Sequence, residues 1–135
     1  MIKLYDLQRI PHEHADEYKA AMARVIDSGW FLQGDETKQF EHDYARYIGT
    51  QHCVAVANGL DALYLILRAY KEMGVMADGD EIIVPANTYI ATILAITRNN
   101  LKPVLVEPTW HHLELDTDRV EQAITPLTRG IMTVH

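Results

Sequence analysis

A chain of 135 residues is long enough for one domain, and its 48% apolar content is typical of a globular protein rather than a disordered one. The formal net charge of −7, with acidic and basic residues interspersed, argues against a nucleic-acid or anionic-membrane surface, which needs clustered Lys and Arg. The single cysteine, Cys53, excludes an intrachain disulfide and a thiolate metal cluster. The sequence shows neither a signal-peptide pattern nor an apolar run of about 18–20 residues, so the predicted compartment is the cytoplasm.

The first fifty residues predict two helices. Both have apolar residues at helical spacing, and a glycine stands where each helix should end, at Gly29 and at Gly49. The apolar positions are Tyr18, Met22, Val25 and Ile26 in the first helix and Phe40, Tyr44, Tyr47 and Ile48 in the second. A short aromatic connector, residues 30–34, lies between them. We therefore expect an N-terminal helical segment over residues 1–50.

After Gly49 the pattern changes to alternating strands and helices, which predicts an α/β domain over residues 51–135. The predicted strands are 52–57, 81–85, 103–106 and 130–134, and the predicted helices are 60–73, 90–98 and 118–124, the last capped by Asp116 or Thr117. Because these strands are apolar throughout, the sheet should be parallel and buried on both faces.

The sequence stops at His135, at the carboxyl end of the last predicted strand. Functional loops of open α/β sheets follow such strand ends. A final strand with nothing after it would also be poorly covered. We therefore expect a truncated domain rather than a small four-stranded one.

One turn, Asn58-Gly59-Leu60, follows a predicted strand and opens directly into a helix. The first turn of a helix has unpaired N–H groups and the positive end of the dipole, where a phosphate binds readily. The competing interpretation is an ordinary βα turn, in which Asp61 alone balances the dipole.

A second turn, residues 85–89, also follows a strand and precedes a helix. Tyr89 is either a face for stacking a planar ligand ring or a packing residue, with Asn87 or Thr88 as the helix cap. Right-handed crossovers keep parallel strands pointing the same way, so both turns should lie at one edge of the sheet. The N–H groups of Gly59 and Leu60 and the ring of Tyr89 are then predicted to face a shared crevice.

The histidines do not predict a metal site. His12 and His14 form one pair and His111 and His112 another, but neither pair has partners at zinc-ligand spacing.

The order and spacing of these segments resemble the start of the DegT/DnrJ/EryC1/StrS family of sugar aminotransferases, a branch of the fold-type I enzymes that use pyridoxal 5'-phosphate (PLP). The matching blocks are residues 28–31, 40–41 followed by 44–45, 56–63, 78–92, 102–104, 123–126 and 134–135. The resemblance implies the N-terminal part of the PLP-dependent transferase large domain: a mostly parallel sheet with flanking helices, truncated, with residues 51–135 as an incomplete cofactor-binding domain.

The same resemblance assigns roles to the two turns. It implies that Gly59 and Leu60 give backbone N–H groups to the PLP phosphate, that Asn58 supports this turn, and that the Tyr89 ring lies over the pyridine. Trp30 and Phe31 match a segment near the sugar substrate at a homodimer interface. None of the five lysines falls in a block equivalent to that of the Schiff-base lysine, so we expect the chain alone to be inactive; they are Lys3, Lys19, Lys38, Lys71 and Lys102.

The function implied by the resemblance is transfer of an amino group from glutamate to a nucleotide-linked keto-deoxysugar, in polysaccharide biosynthesis. Two alternatives remain open. One is a sugar dehydratase of the same family that depends on pyridoxamine 5'-phosphate (PMP), in which a histidine replaces the lysine. The other is a non-catalytic remnant or interaction module, which the end of the sequence at His135 would favour.

Overall fold

The computed structural model describes Leu4 and residues 6–134, so Lys3 and His135 lie outside the described residues. The chain divides into two compact units, Met1–Ala55 and Val56–His135. The first is helical and the second is an α/β unit. The sequence predicts the boundary between residues 50 and 51, whereas the structure divides between Ala55 and Val56.

The first unit contains three helices among its described residues: α1 (Arg9–Glu13), α2 (Ala15–Ser28) and α3 (Asp35–Ile48). The two longer ones are the predicted helices. They end at Gly29 and Gly49, whose φ angles of 67° and 83° are left-handed, a conformation that glycine adopts without strain. Helix α1 was not predicted. It tolerates Pro11 because the first turn of a helix does not need that N–H group.

The predicted strand over residues 52–57 is wrong: this segment has no regular secondary structure. Its β-branched residues favour a strand, but a strand also needs the backbone of a neighbour, and none of the described strands pairs with it. The N–H group of Ala55 donates instead to Glu41 Oε1 at 2.7 Å. Val54 is 75% exposed, and only Cys53 and Ala55 of the segment are half-buried.

The second unit has three helices and three strands among its described residues: α4 (Gly59–Glu72), β1 (Glu81–Pro85), α5 (Ile90–Thr97), β2 (Lys102–Val106), α6 (Thr117–Ala123) and β3 (Thr128–Ile131). The strand order is β2-β1-β3, and both pairings are parallel. All three strands therefore begin at one edge of the sheet, here called the amino edge, and end at the opposite carboxyl edge.

Strand β3 begins two residues before the predicted start at Gly130. The reason is a hydrogen bond that precedes it: the Glu81 N–H donates to Leu127 O at 2.9 Å, which aligns the following residues with β1. Glu81 consequently lies opposite Thr128.

Strand β1 is buried along its whole length, and its side chains alternate between two apolar clusters. Ile82 and Val84 pack in a cluster with residues of α4 and α5, which include Leu67 and Ile96. Ile83 packs on the other face, with Val120 of α6 among its neighbours. Helices therefore cover both faces, which confirms the predicted parallel sheet with flanking helices.

Candidate functional site

The N-termini of α4 and α5 both lie at the carboxyl edge. Helix α5 follows the end of β1, and its C-terminus leads back to the start of β2. Near the C-terminus of α4, the Lys71 ammonium group is bonded to Asp78 and to Asn99 O, which precede β1 and β2 at the amino edge. Since α4 has 14 residues, its N-terminus lies about 21 Å along the helix axis from this C-terminus, away from the amino edge.

The N-terminus of α4 offers two unpaired donors. Asn58 is the N-cap, and its Oδ1 accepts from the Asp61 N–H at 3.0 Å. Ala62 N donates to Asn58 O at 3.1 Å. Within the part of the chain that the structure describes, this leaves the N–H groups of Gly59 and Leu60 without a partner.

Space for an anion adjoins these donors. A Cβ built on Gly59 would meet no atom within 4 Å, so no packing contact in the described chain requires a glycine here. The positive end of the helix dipole adds to the attraction for a negative charge. Two N–H donors, a helix dipole and open space are the features that a bound phosphate requires.

Tyr89 is the N-cap residue of α5 at the same edge, and it is 77% exposed. Its main chain is fixed, since Thr92 N donates to Tyr89 O at 3.0 Å and Thr88 N donates to Pro85 O at 3.2 Å. Within residues 6–134, Tyr89 is therefore not a packing residue. An exposed ring on a fixed backbone can form one wall of a site for a planar ligand.

Neither Asn87 nor Thr88 caps α5, contrary to one interpretation of the sequence, because the first turn has no side-chain cap. The Thr88 hydroxyl bonds to the hydroxyl of Thr92 at 2.7 Å. Asn87 Nδ2 donates to Leu113 O at 2.9 Å and so ties the loop after β2 to the Tyr89 turn. No local sequence pattern indicates this contact, which joins residues 26 positions apart.

Trp30 and Phe31 belong to the first unit, where both are 68% exposed and line a pocket of about 480 Å³. The Trp30 indole donates to Leu32 O at 2.6 Å. A Cβ on Gly34 would lie 3.0 Å from Trp30 O and 3.2 Å from its ring, so glycine permits this close approach. The two aromatic side chains thus present open faces to the pocket.

The charges beside this pocket are paired. Arg24 donates to Glu36 Oε2 at 3.0 Å, and this hydrogen bond is the main cause that lowers the pKa of the Glu36 carboxyl. Lys38 pairs with Asp35 at 3.2 Å. The pocket therefore offers aromatic surface rather than an uncompensated charge.

Both lysines of the second unit lie at the amino edge, away from Gly59 and Tyr89. Lys71 is bonded to Asp78 and Asn99, and Lys102 donates to Glu81 Oε1 at 2.9 Å. Neither ammonium group lies at the carboxyl edge.

In residues 6–134 and Leu4, no group of three or more His, Cys, Asp or Glu side chains is placed to hold a metal ion. Across the same described residues, no helix has the length and apolar character that crossing a membrane requires.

Known proteins match this chain over nearly its whole length. The model of the DegT/DnrJ/EryC1/StrS aminotransferase family matches residues 12–135. The dTDP-3-amino-3,6-dideoxy-alpha-D-galactopyranose transaminase of Aneurinibacillus thermoaerophilus is 49% identical over 135 residues, which are 100% of this chain and 36% of that protein.

Solved structures give the same result. The crystal structure of S. venezuelae DesV in complex with a ketimine intermediate matches with a TM-score of 0.86 and 45% identity, over 99% of this chain and 35% of that one. The E. coli GDP-4-keto-6-deoxy-D-mannose-3-dehydratase with bound hydrated PLP has a TM-score of 0.77 and 29% identity, over 98% and 32% of the two chains. The chain thus spans about a third of the length of the relatives it matches.

Proposed function

This chain belongs to the DegT/DnrJ/EryC1/StrS aminotransferase family, and we propose that its second unit supplies part of the PLP site of a nucleotide-sugar aminotransferase. In this proposal, glutamate donates the amine and a nucleotide-linked keto sugar accepts it. The enzyme would act in the cytoplasm as a homodimer. The similarity to a dTDP-sugar transaminase at 49% identity supports the substrate class.

The observation that carries the proposal is the pair of unpaired N–H groups at the start of α4, on the edge where Tyr89 is exposed. A phosphate ester carries about −1.5 to −2 charges near pH 7, and hydrogen bonds to an ionised acceptor are stronger than neutral ones. We infer that Gly59 and Leu60 bind the phosphate and that Asn58 holds their turn in place. The Tyr89 ring would then orient the pyridine plane.

When bound, PLP supplies an electron sink for moving an amino group between two substrates. The residues of this chain would bind and orient it. Trp30 and Phe31 are proposed to face the sugar substrate, because their exposed rings line a pocket of suitable size. Since neither lysine of the second unit lies at the carboxyl edge, we expect residues 1–135 alone to show no amino transfer from glutamate.

Similarity favours amino transfer over dehydration. The aminotransferase relative is 49% identical to this chain, whereas the E. coli dehydratase is 29% identical. Dehydration remains the second candidate, because that structure also matches over 98% of the chain. Both candidates need the same phosphate site, the N–H groups of Gly59 and Leu60, which is here called the phosphate cradle.

The test is to remove one donor with Gly59→Pro. Proline is accepted at the first helical position, and the extended Asn58 before it, with φ −166° and ψ 175°, is compatible with it. We expect the affinity for PMP to fall about 10- to 100-fold, since a hydrogen bond to a charged group contributes about 1.5–3 kcal/mol. PMP is the probe because it has no aldehyde to react with surface lysines.

Gly59→Ala is the matched control. It keeps the N–H group and adds only a Cβ that meets no described atom within 4 Å. Affinity for pyridoxamine, which lacks the phosphate, should be equal in all three proteins. Equal PMP affinity in Gly59→Pro and Gly59→Ala would overturn the cradle, as would a wild-type chain that binds PMP no better than pyridoxamine.

A further inference from the structure

Asn99 is a buried polar residue that joins the two helices of the proposed cofactor site. It stands just after α5, and it is 2% exposed. Its Nδ2 donates to Ala95 O in α5 at 2.8 Å and to Tyr64 O in α4 at 3.0 Å. Both hydrogens of one amide group are therefore used, one on each helix.

The two bonds have different consequences. Ala95 O is among the last carbonyls of α5, which have no partner within the helix, so the Asn99 amide helps to end α5. Tyr64 lies inside α4, where the backbone is already hydrogen-bonded, so the second bond adds nothing to that helix. Its effect is to fix the position of α4 relative to α5.

The backbone of Asn99 is also bound by a side chain of α4. Lys71 Nζ donates to Asn99 O at 2.6 Å and also pairs with Asp78. The Lys71 side chain is only 13% exposed, which restricts its movement. Both the side chain and the backbone of Asn99 thus contact α4.

This contact sets the relative height of the two N-termini. Tyr64 is five residues after Gly59, and Ala95 is five residues after Ile90, the first residue of α5. At a rise of about 1.5 Å per residue, each N-terminus lies about 7.5 Å from the Asn99 amide along its own helix. The first turns of α4 and α5 therefore lie at matching distances from this shared contact.

We propose that Asn99 is a positioning residue for the cofactor site: it holds α4 and α5 in register so that the N–H groups of Gly59 and Leu60 and the ring of Tyr89 address one molecule. This inference rests on the proposed function. Asn99 itself is 2% exposed, lies about 7.5 Å along each helix from its N-terminus and would not touch the cofactor.

The test compares Asn99→Ala with Val120→Ala. Val120 is 8% exposed and packs on the other face of the sheet, so its substitution destabilises the unit without touching the α4–α5 contact. The measured quantity is the ratio of PMP affinity to pyridoxamine affinity, in the folded fraction of the 135-residue chain, by equilibrium dialysis. A residue with only a structural role would not change this ratio.

We expect wild type and Val120→Ala to have the same ratio. In Asn99→Ala the ratio should fall about tenfold, because a shift of α4 against α5 by about 1 Å removes most of an aligned hydrogen bond to the phosphate. If Asn99→Ala does not fold, Asn99→Ser replaces it: one hydroxyl donor can serve Ala95 O or Tyr64 O but not both. An unchanged ratio in the variant that folds overturns the positioning role and leaves the phosphate cradle standing. A wild-type ratio of one overturns the cradle and this inference together.

Discussion

The two edges of the sheet in the second unit use their polar groups differently. At the amino edge, Glu81 is 5% exposed and accepts from Lys102 Nζ at 2.9 Å and from the Thr125 hydroxyl at 2.6 Å. Asp80 beside it accepts from Ala77 N at 2.8 Å and pairs with Arg129 at 3.5 Å. These charges are satisfied within the chain.

At the carboxyl edge some of the described groups are left open, although Asn87 and Thr88 are hydrogen-bonded. The N–H groups of Gly59 and Leu60 have no partner there among residues 6–134, and Tyr89 and Trp110 are 77% and 88% exposed. Both edges belong to the same short strands, and open α/β sheets carry their functional loops at the carboxyl ends of the strands. We propose that the polar groups at the amino edge stabilise the fold, while the N–H groups of Gly59 and Leu60 are available to a ligand.

The largest effect on stability is expected at the amino edge, for Asp80→Ala. The substitution removes the carboxylate that accepts from the part-buried Ala77 N–H, and a hydrogen bond to a charged group contributes about 1.5–3 kcal/mol. Urea unfolding should show that loss, with the ratio of PMP to pyridoxamine affinity unchanged. Asp80→Asn, which keeps an acceptor oxygen, is the control and should lose less. A reduced affinity ratio in Asp80→Ala would break the division between the edges.

A smaller effect, on binding alone, is expected at the carboxyl edge for Tyr89→Ala. Because Tyr89 is exposed, the free energy of unfolding should change by no more than about 0.5 kcal/mol. Loss of an aromatic stacking contact of about 0.5–1.5 kcal/mol should weaken PMP and pyridoxamine equally, by about 2- to 10-fold. Tyr89→Phe retains the ring and should bind as wild type does. Unaltered binding of both ligands in Tyr89→Ala would remove Tyr89 from the site.

The smallest effect concerns pH. The Thr125 hydroxyl, and then Lys102, hold the pKa of the Glu81 carboxyl below its ordinary value. The charged form therefore stabilises the folded state above the unfolded pKa of about 4.3, and this contribution is lost as pH falls through the folded pKa.

Glu81→Gln should consequently lose less stability than wild type when the pH is lowered from about 5 to 3. The exposed Glu121→Gln serves as the matched control and should follow wild type. Thermal unfolding measures this difference. The same loss of stability on acidification in wild type and Glu81→Gln would show that the contacts of Glu81 with Thr125 and Lys102 do not depend on its charge.

Local sequence patterns predicted those elements whose signals are local. Strand β1 was predicted with its observed bounds, because an apolar run follows the turn Asp78-Gly79-Asp80. Helices α2 and α3 end at the glycines that predicted their ends. The strand prediction for residues 52–57 was wrong because strand propensity reports a fit to a pleated surface. Strand pairing also depends on a partner, which the segment itself cannot specify.

The same limit applies to the site. The turns at Gly59 and Tyr89 could be found from sequence, because each joins a strand-like segment to a helix with recognisable residues. Asn99 could not, because its importance lies in contacts with Tyr64, 35 positions away, and with Lys71, 28 positions away. A buried amide between two helices leaves no periodic pattern.

The central claim is that the start of α4 binds the phosphate of the cofactor. Amide chemical shifts of the isotopically labelled chain, followed during titration with PMP and separately with pyridoxamine, test it most directly. We predict saturable shifts of the Gly59 and Leu60 amides that occur with PMP and not with pyridoxamine, while the amides of Glu81 and Lys102 stay unchanged. Shifts confined to the amino edge, or equal responses to both ligands at Gly59 and Leu60, would contradict the claim.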